Sequence, residues 1–252
     1  MNRKDDHIKG ALNQSFKVNT FDEVRFLHEP LSATALNDVD TSVTCFNQEF
    51  SMPIYINAMT GGSIQGFEVN KRLAMLAKHF SLPLALGSIK AGLHSQRWAE
   101  SFKIAREIYP EGFIMANMGG ENDLYTARRA VEIIDASLLQ IHLNPVQELI
   151  MPEGDRDFNK ISENIQQIGA SLDVPVVGKE VGFGMTRETL EKLKGLGITH
   201  VDLSGRGGTN FASIENMRRT QPIDHLDDWG QSTVESLLEA SNVEGLTIMA
   251  SG

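Results

Sequence analysis

Short apolar runs alternate with amphipathic stretches from residue 54 to the end of the chain, and this order restricts the possible folds more than any other feature. Within a run the hydrophobic side chains are mostly consecutive rather than alternating. Consecutive apolar residues are typical of parallel strands that are buried on both faces. We therefore predict seven strands, which cover residues 53–58, 82–86, 113–116, 138–142, 174–179, 200–203 and 246–250.

The stretches between the runs have the spacing of amphipathic helices. Val69, Leu73, Leu76 and Phe80, for example, recur at intervals that place them on one helical face. Strands that alternate with helices through short connections indicate a parallel sheet with right-handed crossovers. Seven such strands suit either an open doubly wound sheet or most of a closed barrel.

Polar and glycine-rich residues follow every predicted strand, and this distribution favours the barrel. In a (β/α)8 barrel all carboxyl ends of the strands surround one mouth, where the active site lies, whereas an open sheet concentrates function at one switch point. The predicted fold is therefore an α/β (β/α)8 barrel with seven strands present. Residues 1–52 are expected to form an N-terminal lid and barrel-bottom segment, with a short hairpin near residues 37–44, and residues 53–252 the barrel of a single domain.

Composition excludes several classes of protein. The net charge of −10 and the pI of about 5.2 argue against a nucleic-acid-binding protein, which usually carries a basic face. The single cysteine, Cys45, cannot form an internal disulfide, which favours a reducing compartment. The charged N-terminus lacks a signal-peptide core, and no apolar run approaches the roughly 20 residues needed to span a bilayer. We expect a cytoplasmic protein without nucleic-acid or membrane partners.

Two segments carry the residue types of an anion or cofactor site. Residues 204–210 form a glycine-rich loop after a strand, and its backbone can approach an anion closely, although a flexible turn is the alternative. Lys179 ends another strand and must pair with an anion or a polarised group if it points into the mouth. An ion pair with Glu180 and Schiff-base chemistry are the alternatives for this lysine.

The segment from His142 to Glu148 contains the most concentrated polar cluster. His142 and Asn144 lie on one side of an extended strand end, and Gln147 and Glu148 follow the Pro145 turn. One carboxylate beside neutral donors suits Mg²⁺ that is otherwise coordinated by water and ligand phosphate. It does not suit zinc, because no second histidine or cysteine stands at ligand spacing. A surface glutamate without a ligand is the alternative for Glu148.

Together these segments resemble the type 2, FMN-dependent isopentenyl-diphosphate isomerases. The matching motifs extend over almost the whole chain, and several of them are long. They are residues 3–8 (RKDDHI), 56–62 (INAMTGG), 87–88 (GS), 142–144 (HLN) with 147–148 (QE), 151–154 (MPEG), 179–185 (KEVGFGM), 204–211 (SGRGGTNF) and 228–230 (DWG).

The resemblance implies that FMN lies across the barrel mouth. Ala58, Met59 and Thr60 would line the isoalloxazine, and Ser88 and Asn117 would bind its polar edge. Lys179 would stabilise negative charge on the reduced ring. The ribityl phosphate would be bound by the residues at two later strand ends, which are Ser204, Thr209 and Gly252.

The resemblance also implies a substrate and a reaction. Isopentenyl and dimethylallyl diphosphate would be interconverted by a 1,3-proton shift in isoprene biosynthesis, with reduced FMN as the acid–base and NADPH only as its reductant. Lys179, Gln147 and His142 are the implied catalytic residues, and Glu148 would hold Mg²⁺. The implied substrate-binding residues are Arg3, Lys4, Lys90, His142, Asn144 and Gln147, with Arg97 as an alternative to Lys90. The resemblance implies a homo-oligomer as well, either a tetramer or an octamer.

Two other functions stay open at this point. One is an FMN-dependent 2-hydroxy-acid oxidase or dehydrogenase, for which His200 and His225 are poorly placed as catalytic bases. The other is an inactive flavin- or diphosphate-binding fragment, because residues 1–252 contain no eighth βα unit, which needs about 30 residues. We therefore expect residues 1–252 alone to bind FMN poorly, and to aggregate or recruit a partner chain.

Overall fold

A computed structural model describes residues 3–14 and 20–252. The helices of this part are α1 (Arg3–Asn13), α2 (Ile64–Phe80), α3 (Lys90–His94), α4 (Gln96–Ile108), α5 (Leu124–Ile134), α6 (Pro145–Ile150), α7 (Ile161–Ser171), α8 (Arg187–Gly195), α9 (Phe211–Asn216) and α10 (Thr233–Ala240). The strands are β1 (Val43–Cys45), β2 (Gln48–Phe50), β3 (Leu84–Ala85), β4 (Ile114–Gly119), β5 (Leu138–Leu143), β6 (Val176–Glu180), β7 (His200–Asp202) and β8 (Thr247–Met249). None of these helices is long and apolar enough to cross a bilayer.

The main sheet is a curled half-barrel of parallel strands in the order β3-β4-β5-β6-β7-β8. Each strand therefore pairs with the next one along the chain, as the alternation of runs and helices predicts. The prediction of seven strands is not confirmed, because residues 53–58 contribute only one parallel bridge, between Ile56 and Leu84. Backbone hydrogen bonds still join this segment to residues 83–87: Ile56 N–H donates to the Pro83 carbonyl at 2.9 Å, and the Ile56 and Thr60 carbonyls accept from Ala85 and Gly87 at 2.8 and 3.1 Å. They do not form a continuous ladder.

Buried apolar side chains fix the sheet against its helices. All six residues of β4 are buried, and so are the first four of β5, as expected for strands covered on both faces. The largest cluster joins Phe102 of α4, Ile134 of α5 and Ile168 of α7 to the strands beneath them. The helices begin at residues suited to N-caps: Ser63 and Asp123 accept hydrogen bonds from the first turns of α2 and α5.

A hairpin lies against the amino ends of the strands, opposite the mouth. It is formed by β1 and β2, slightly later than the predicted residues 37–44. Phe46 and Asn47 in its turn have φ values of 53° and 57°, which is typical of a two-residue hairpin turn. Phe46 stacks on Phe113, with ring centroids 5.6 Å apart, and Phe50 is buried beside it. The hairpin therefore covers the apolar bottom of the sheet.

We expect alanine at Gly61 to destabilise the protein, whereas alanine at Gly195 is tolerated. A Cβ atom on Gly61 would lie 2.1 Å from the ring of Phe102, which is fully buried. Such overpacking costs about 1–3 kcal/mol. A Cβ atom on Gly195, the last residue of α8, would meet nothing within 4 Å, so alanine there should leave the stability nearly unchanged. Urea unfolding of the two variants measures the difference, and equal stabilities would contradict this packing.

Candidate active site

A cavity opens at the carboxyl ends of the strands, and most of the predicted site residues line it. The N-terminal helix α1 covers one side of it, and strand-end loops form the rest. The predicted residues in its lining are Arg3, Lys4, Ala58, Met59, Thr60, Ser88, Lys90, Asn117, His142, Gln147, Glu148 and Lys179. The lining also includes six residues to which the sequence analysis assigned no role: Glu121, which lies outside the family motifs, and His7, Gly87, Met151, Val181 and Phe211, which lie within them. We call this the mouth cavity.

The remaining predicted residues lie beside the mouth cavity. Thr209 lines a second cavity together with the glycine-rich loop. Gly252 packs directly on Gly208 of that loop: a Cβ atom added to Gly208 would lie 2.9 Å from the carbonyl carbon of Gly252. Ser204 is buried at the start of the same loop. Arg97, the alternative to Lys90, instead lies over the Trp98 ring, 4.9 Å from its centroid.

Asn144 positions Gln147 by two hydrogen bonds. The side chain of Asn144 caps α6: its oxygen accepts from the Gln147 backbone N–H at 3.0 Å, and its amide donates to Gln147 Oε1 at 2.9 Å. The oxygen and the nitrogen of the Asn144 side-chain amide are thus each hydrogen-bonded within the protein. Its direct contact with substrate stays a prediction.

Lys179 is buried at the end of β6 in a network centred on Asp202. Its ammonium donates to Asp202 Oδ2 at 2.5 Å and to Ser251 Oγ at 3.3 Å. Asp202 is fully buried and also accepts from the Tyr55 hydroxyl and from Ser251 Oγ. Burial, followed by the charge of Asp202, raises the pKa of Tyr55, so its hydroxyl stays a donor. An ammonium has three N–H groups, so one remains for the mouth cavity that Lys179 lines.

Glu180 is not the partner of Lys179, so the alternative of a Lys179–Glu180 ion pair is wrong. Adjacent strand residues point to opposite faces, which separates the two side chains. The buried Glu180 carboxylate accepts instead from the backbone N–H groups of Gly182, Phe183 and Gly184, at 2.9, 2.6 and 2.8 Å. Glu180 thereby fixes the loop that carries Val181 into the lining of the mouth cavity.

His142 is held neutral at the end of β5. Its Nδ1 lies 2.9 Å from the side-chain oxygen of Asn117 on β4. Burial lowers the pKa of His142 to about 4, and the cations Lys4, Lys179 and Lys90 act in the same direction, although Glu121 opposes them. The imidazole therefore carries no charge near neutral pH.

This lowered pKa predicts that His142 destabilises the fold as the pH falls. The unfolded chain binds a proton near pH 6.5, but folded His142 does so only near pH 4. The associated stability is therefore present above pH 6.5 and is lost progressively between pH 6.5 and 4. Urea unfolding at pH 7 and pH 5 should show a smaller loss for His142→Gln than for the wild type. His28→Gln, which changes an exposed loop histidine, is the matched control; identical pH dependence in all three proteins would contradict the assignment.

Side-chain contacts to Glu215 and Glu153 hold the helix α1 over the mouth. His7 Nε2 lies 2.7 Å from Glu215 Oε1 on α9, and Glu215 is fully buried. Arg218 binds Glu215 and, at 2.7 Å, Glu153, while Arg3 lies 3.6 Å from Glu153. With these contacts in place, Arg3 and Lys4 of α1 lie in the lining of the mouth cavity.

Glu215 contacts both His7 of α1 and the side-chain amide of Gln147, a predicted catalytic residue. Gln147 Nε2 donates to Glu215 Oε1 at 3.4 Å, and this is the same oxygen that binds His7. A glutamate within a short helix carries no sequence signal of such a role. Its position becomes evident only when α1, α6 and α9 are packed together.

The rim of the mouth cavity carries two carboxylates and two further lysines. Glu121 and Lys90 form an ion pair of 3.3 Å. Burial raises the pKa of Glu148, which accepts from the Asp155 backbone N–H at 2.8 Å. Burial also lowers the pKa of Lys4 to about 8, helped by the neighbouring charge of Arg3. No group of three or more histidine, cysteine or acidic side chains in the described ranges forms a metal cluster, so Mg²⁺ at Glu148 stays a prediction.

The curled parallel sheet and the cation-lined cavity at the carboxyl ends of its strands define the class: an α/β-barrel protein with its candidate active site at the strand ends. Its fold is similar to that of solved mandelate oxidases. One with a monooxide FMN adduct matches with a TM-score of 0.51 and 14% identity, over 100% of this chain and 70% of that one. Another with (S)-mandelic acid matches with a TM-score of 0.55 and 14% identity, over 88% of this chain and 64% of that one. At this identity the likeness concerns the fold alone.

Curated relatives identify the family. The isopentenyl-diphosphate delta-isomerase of Latilactobacillus sakei is 47% identical over 99% of this chain and 72% of its own length. The enzymes of the same name from Staphylococcus saprophyticus and Staphylococcus aureus are 44% and 45% identical over 99% of this chain, and 73% and 72% of their own lengths. No family model matches the chain. The chain belongs to the isopentenyl-diphosphate delta-isomerase family, and its function is that of an isomerase.

Proposed function

We propose that the mouth cavity interconverts isopentenyl and dimethylallyl diphosphate by a 1,3-proton shift that requires reduced FMN and Mg²⁺. The observation that carries this proposal is the concentration of Arg3, Lys4, Lys90 and Lys179 in one cavity of a chain whose net charge is −10. Lys179 and Lys90 are paired with Asp202 and Glu121, but an anion in the cavity would meet N–H donors from all four cations, which favours an anionic ligand. The names of the relatives support a diphosphate as that anion.

Several features of the mouth fit a flat, polar-edged cofactor such as FMN. Thr60 is buried in the lining, and its hydroxyl has no hydrogen-bond partner within the described protein. A buried hydroxyl without a partner is costly, and a ligand edge would supply one. Gly87 packs so closely on Thr60 that a Cβ atom would come within 2.7 Å of its backbone, which keeps this wall flat. Ala58 and Met59 complete the same wall.

The cofactor phosphate would be bound beside the mouth. Ser204, Thr209 and Gly252 belong to two strand-end loops that touch at Gly208. Hydroxyl and backbone N–H donors in closely packed glycine loops suit a phosphate. Ser88 and Asn117 would bind the polar edge of the ring from the opposite side.

The substrate diphosphate would be bound below α1. Arg3 and Lys4 enter the cavity on this helix, and Lys90 and Glu148 face them from the rim. Glu148 would hold Mg²⁺ through a single carboxylate, with water and phosphate as the other ligands. Lys90 would have to exchange its contact with Glu121 for one with the phosphate.

The side chains around the alkene would position it and limit access of water. When bound, reduced FMN supplies the proton donor and acceptor for the shift, with no net change of redox state. Lys179 would stabilise negative charge on the reduced ring, since its ammonium is fixed by Asp202. Gln147, held by Asn144 and Glu215, would orient the substrate, because an amide is a poor acid. Met59, Met151, Val181 and Phe211 provide the apolar part of the cavity.

The proposal is tested by adding isopentenyl diphosphate to the protein with FMN, NADPH and Mg²⁺, and omitting each component in turn. We expect dimethylallyl diphosphate, detected by proton NMR, only when a reduced flavin and Mg²⁺ are both present. Product formation without flavin would contradict the proposal. Bleaching of bound flavin by lactate or glycolate would instead favour a 2-hydroxy-acid oxidase; His200 packs on Phe46 at the opposite end of the sheet, which is a poor position for that chemistry.

A further inference from the structure

A chain of buried amides crosses two neighbouring strands and ends at His142. Gln140 on β5 is fully buried, and its amide nitrogen lies 3.7 Å from the thioether sulfur of Met115 on β4. Gln140 Oε1 accepts from Asn117 Nδ2 at 3.2 Å, and Asn117 Oδ1 faces His142 Nδ1 at 2.9 Å. Only Asn117 and His142 of these four residues line the mouth cavity.

The donor-to-acceptor direction of the hydrogen bonds in this amide chain is set at its buried end, where Gln140 meets Met115. A thioether accepts weakly and cannot donate, so the Gln140 side that faces Met115 is its amide nitrogen rather than its oxygen. The Gln140 oxygen must then accept from Asn117, which turns the Asn117 oxygen toward the imidazole. An oxygen accepts only, so the His142 proton must sit on Nδ1.

We propose that Gln140 is a positioning residue that fixes His142 as the neutral tautomer with its proton on Nδ1 and a bare Nε2 for the mouth cavity. Gln140 acts through Asn117 and does not touch the cavity itself. The reverse amide arrangement would have the Asn117 nitrogen donate to Nδ1, and the proton would move to Nε2. Gln140 therefore decides which ring nitrogen faces the ligand as an acceptor.

This tautomer limits what His142 can bind. A bare Nε2 accepts a hydrogen bond, and it cannot pair with a fully ionised phosphate oxygen, which also only accepts. The lowered pKa of His142 agrees with a ring that stays neutral. The ligand group at Nε2 must therefore be a donor, such as a protonated oxygen or a bound water. This consequence rests on the proposed function, whereas the tautomer does not.

The tautomer can be measured without flavin or substrate. In ¹⁵N-histidine NMR of the full chain at pH 7, the signals of His142 are assigned by their loss in His142→Gln. We expect the wild type to have a protonated Nδ1 and an unprotonated Nε2. In Gln140→Leu, Asn117 loses its acceptor and can turn its amide, so we expect the His142 proton to move to Nε2 or to divide between the two nitrogens.

Met118→Leu is the matched control, because Met118 is another buried methionine of β4 outside this amide chain. It should leave the His142 signals unchanged. A wild-type His142 protonated on Nε2 would overturn the inference, and so would an unchanged tautomer in Gln140→Leu. Should Gln140→Leu fail to fold, Gln140→Glu retains the acceptor for Asn117 and should keep the wild-type tautomer; loss of that tautomer would count against the proposal. An inactive isomerase with the expected tautomer would contradict the proposed function alone.

Discussion

Lys179→Met is expected to lower the isomerase rate by roughly 10²- to 10³-fold, the typical cost of removing one group that stabilises developing charge. It should also destabilise the fold by about 3–5 kcal/mol, because it leaves the fully buried Asp202 without its cation. The rate loss follows from removing the ammonium from the mouth cavity, whereas the stability loss follows from breaking its 2.5 Å ion pair with Asp202 at the end of β6. The rate of product formation by NMR and urea unfolding measure them separately.

A double variant separates catalysis from stability. Lys179→Met with Asp202→Asn contains no unpaired buried charge, so it should recover most of the lost stability without recovering activity. Lys192→Met, on the exposed side of α8, is the matched control and should change neither quantity. A Lys179→Met protein with full activity, or a double variant less stable than both single variants, would contradict the role of this pair.

Glu215→Gln is expected to weaken both the attachment of α1 and the binding of the diphosphate. Glutamine keeps the size of the side chain, but removes the charge that holds His7 and Arg218. We expect a loss of roughly 2–4 kcal/mol, somewhat less than for a fully enclosed pair because Arg218 also reaches solvent. Since α1 carries Arg3 and Lys4 into the mouth, KM for the diphosphate should rise about tenfold, equivalent to about 1.4 kcal/mol.

The pH dependence of unfolding gives a second test of Glu215. Burial alone would raise the pKa of Glu215, but hydrogen bonds and charges from His7 and Arg218 bring it below its usual value. Glu215 therefore stabilises the fold at pH values above the pKa that it has in the unfolded chain. This stabilisation is lost as the pH falls through the lower pKa that it has in the folded protein. Glu215→Gln should lack that part of the acid transition, and Glu132→Gln, on the exposed side of α5, should retain it. An unchanged KM and acid transition in Glu215→Gln would contradict the role of Glu215 in fastening α1.

Hydrophobic runs predicted most of the sheet because buried parallel strands leave a strong local signal. The predicted strands at residues 138–142 and 174–179 each end one residue before β5 and β6 do, and both runs are mostly apolar. Residues 53–58 carry the same signal but form only one bridge. Their hydrogen bonds to residues 83–87 do not form a continuous ladder, and this pairing is a property of the folded sheet rather than of the segment.

Strand ends likewise predicted which residues line the mouth, whereas the supporting polar groups were missed. Lys179 and His142 end their strands, and a barrel brings strand ends together. Asp202 and Gln140 lie inside predicted buried strands. Because buried polar side chains are almost always hydrogen-bonded, a polar residue at such a position indicates a buried hydrogen-bond network. Glu215 stands in a short helix and has no comparable signal. Oligomeric state, cytoplasmic location and the individual residue roles stay predictions.

The most direct test of the proposed chemistry is to count hydrides against product. The protein with FMN is reduced once with a stoichiometric amount of dithionite in the absence of oxygen, NADPH is left out, and isopentenyl diphosphate is added in large excess with Mg²⁺. The account predicts many molecules of dimethylallyl diphosphate per flavin while the flavin stays reduced. Consumption of one hydride for each product molecule, or reoxidation of the flavin after a single turnover, would contradict it.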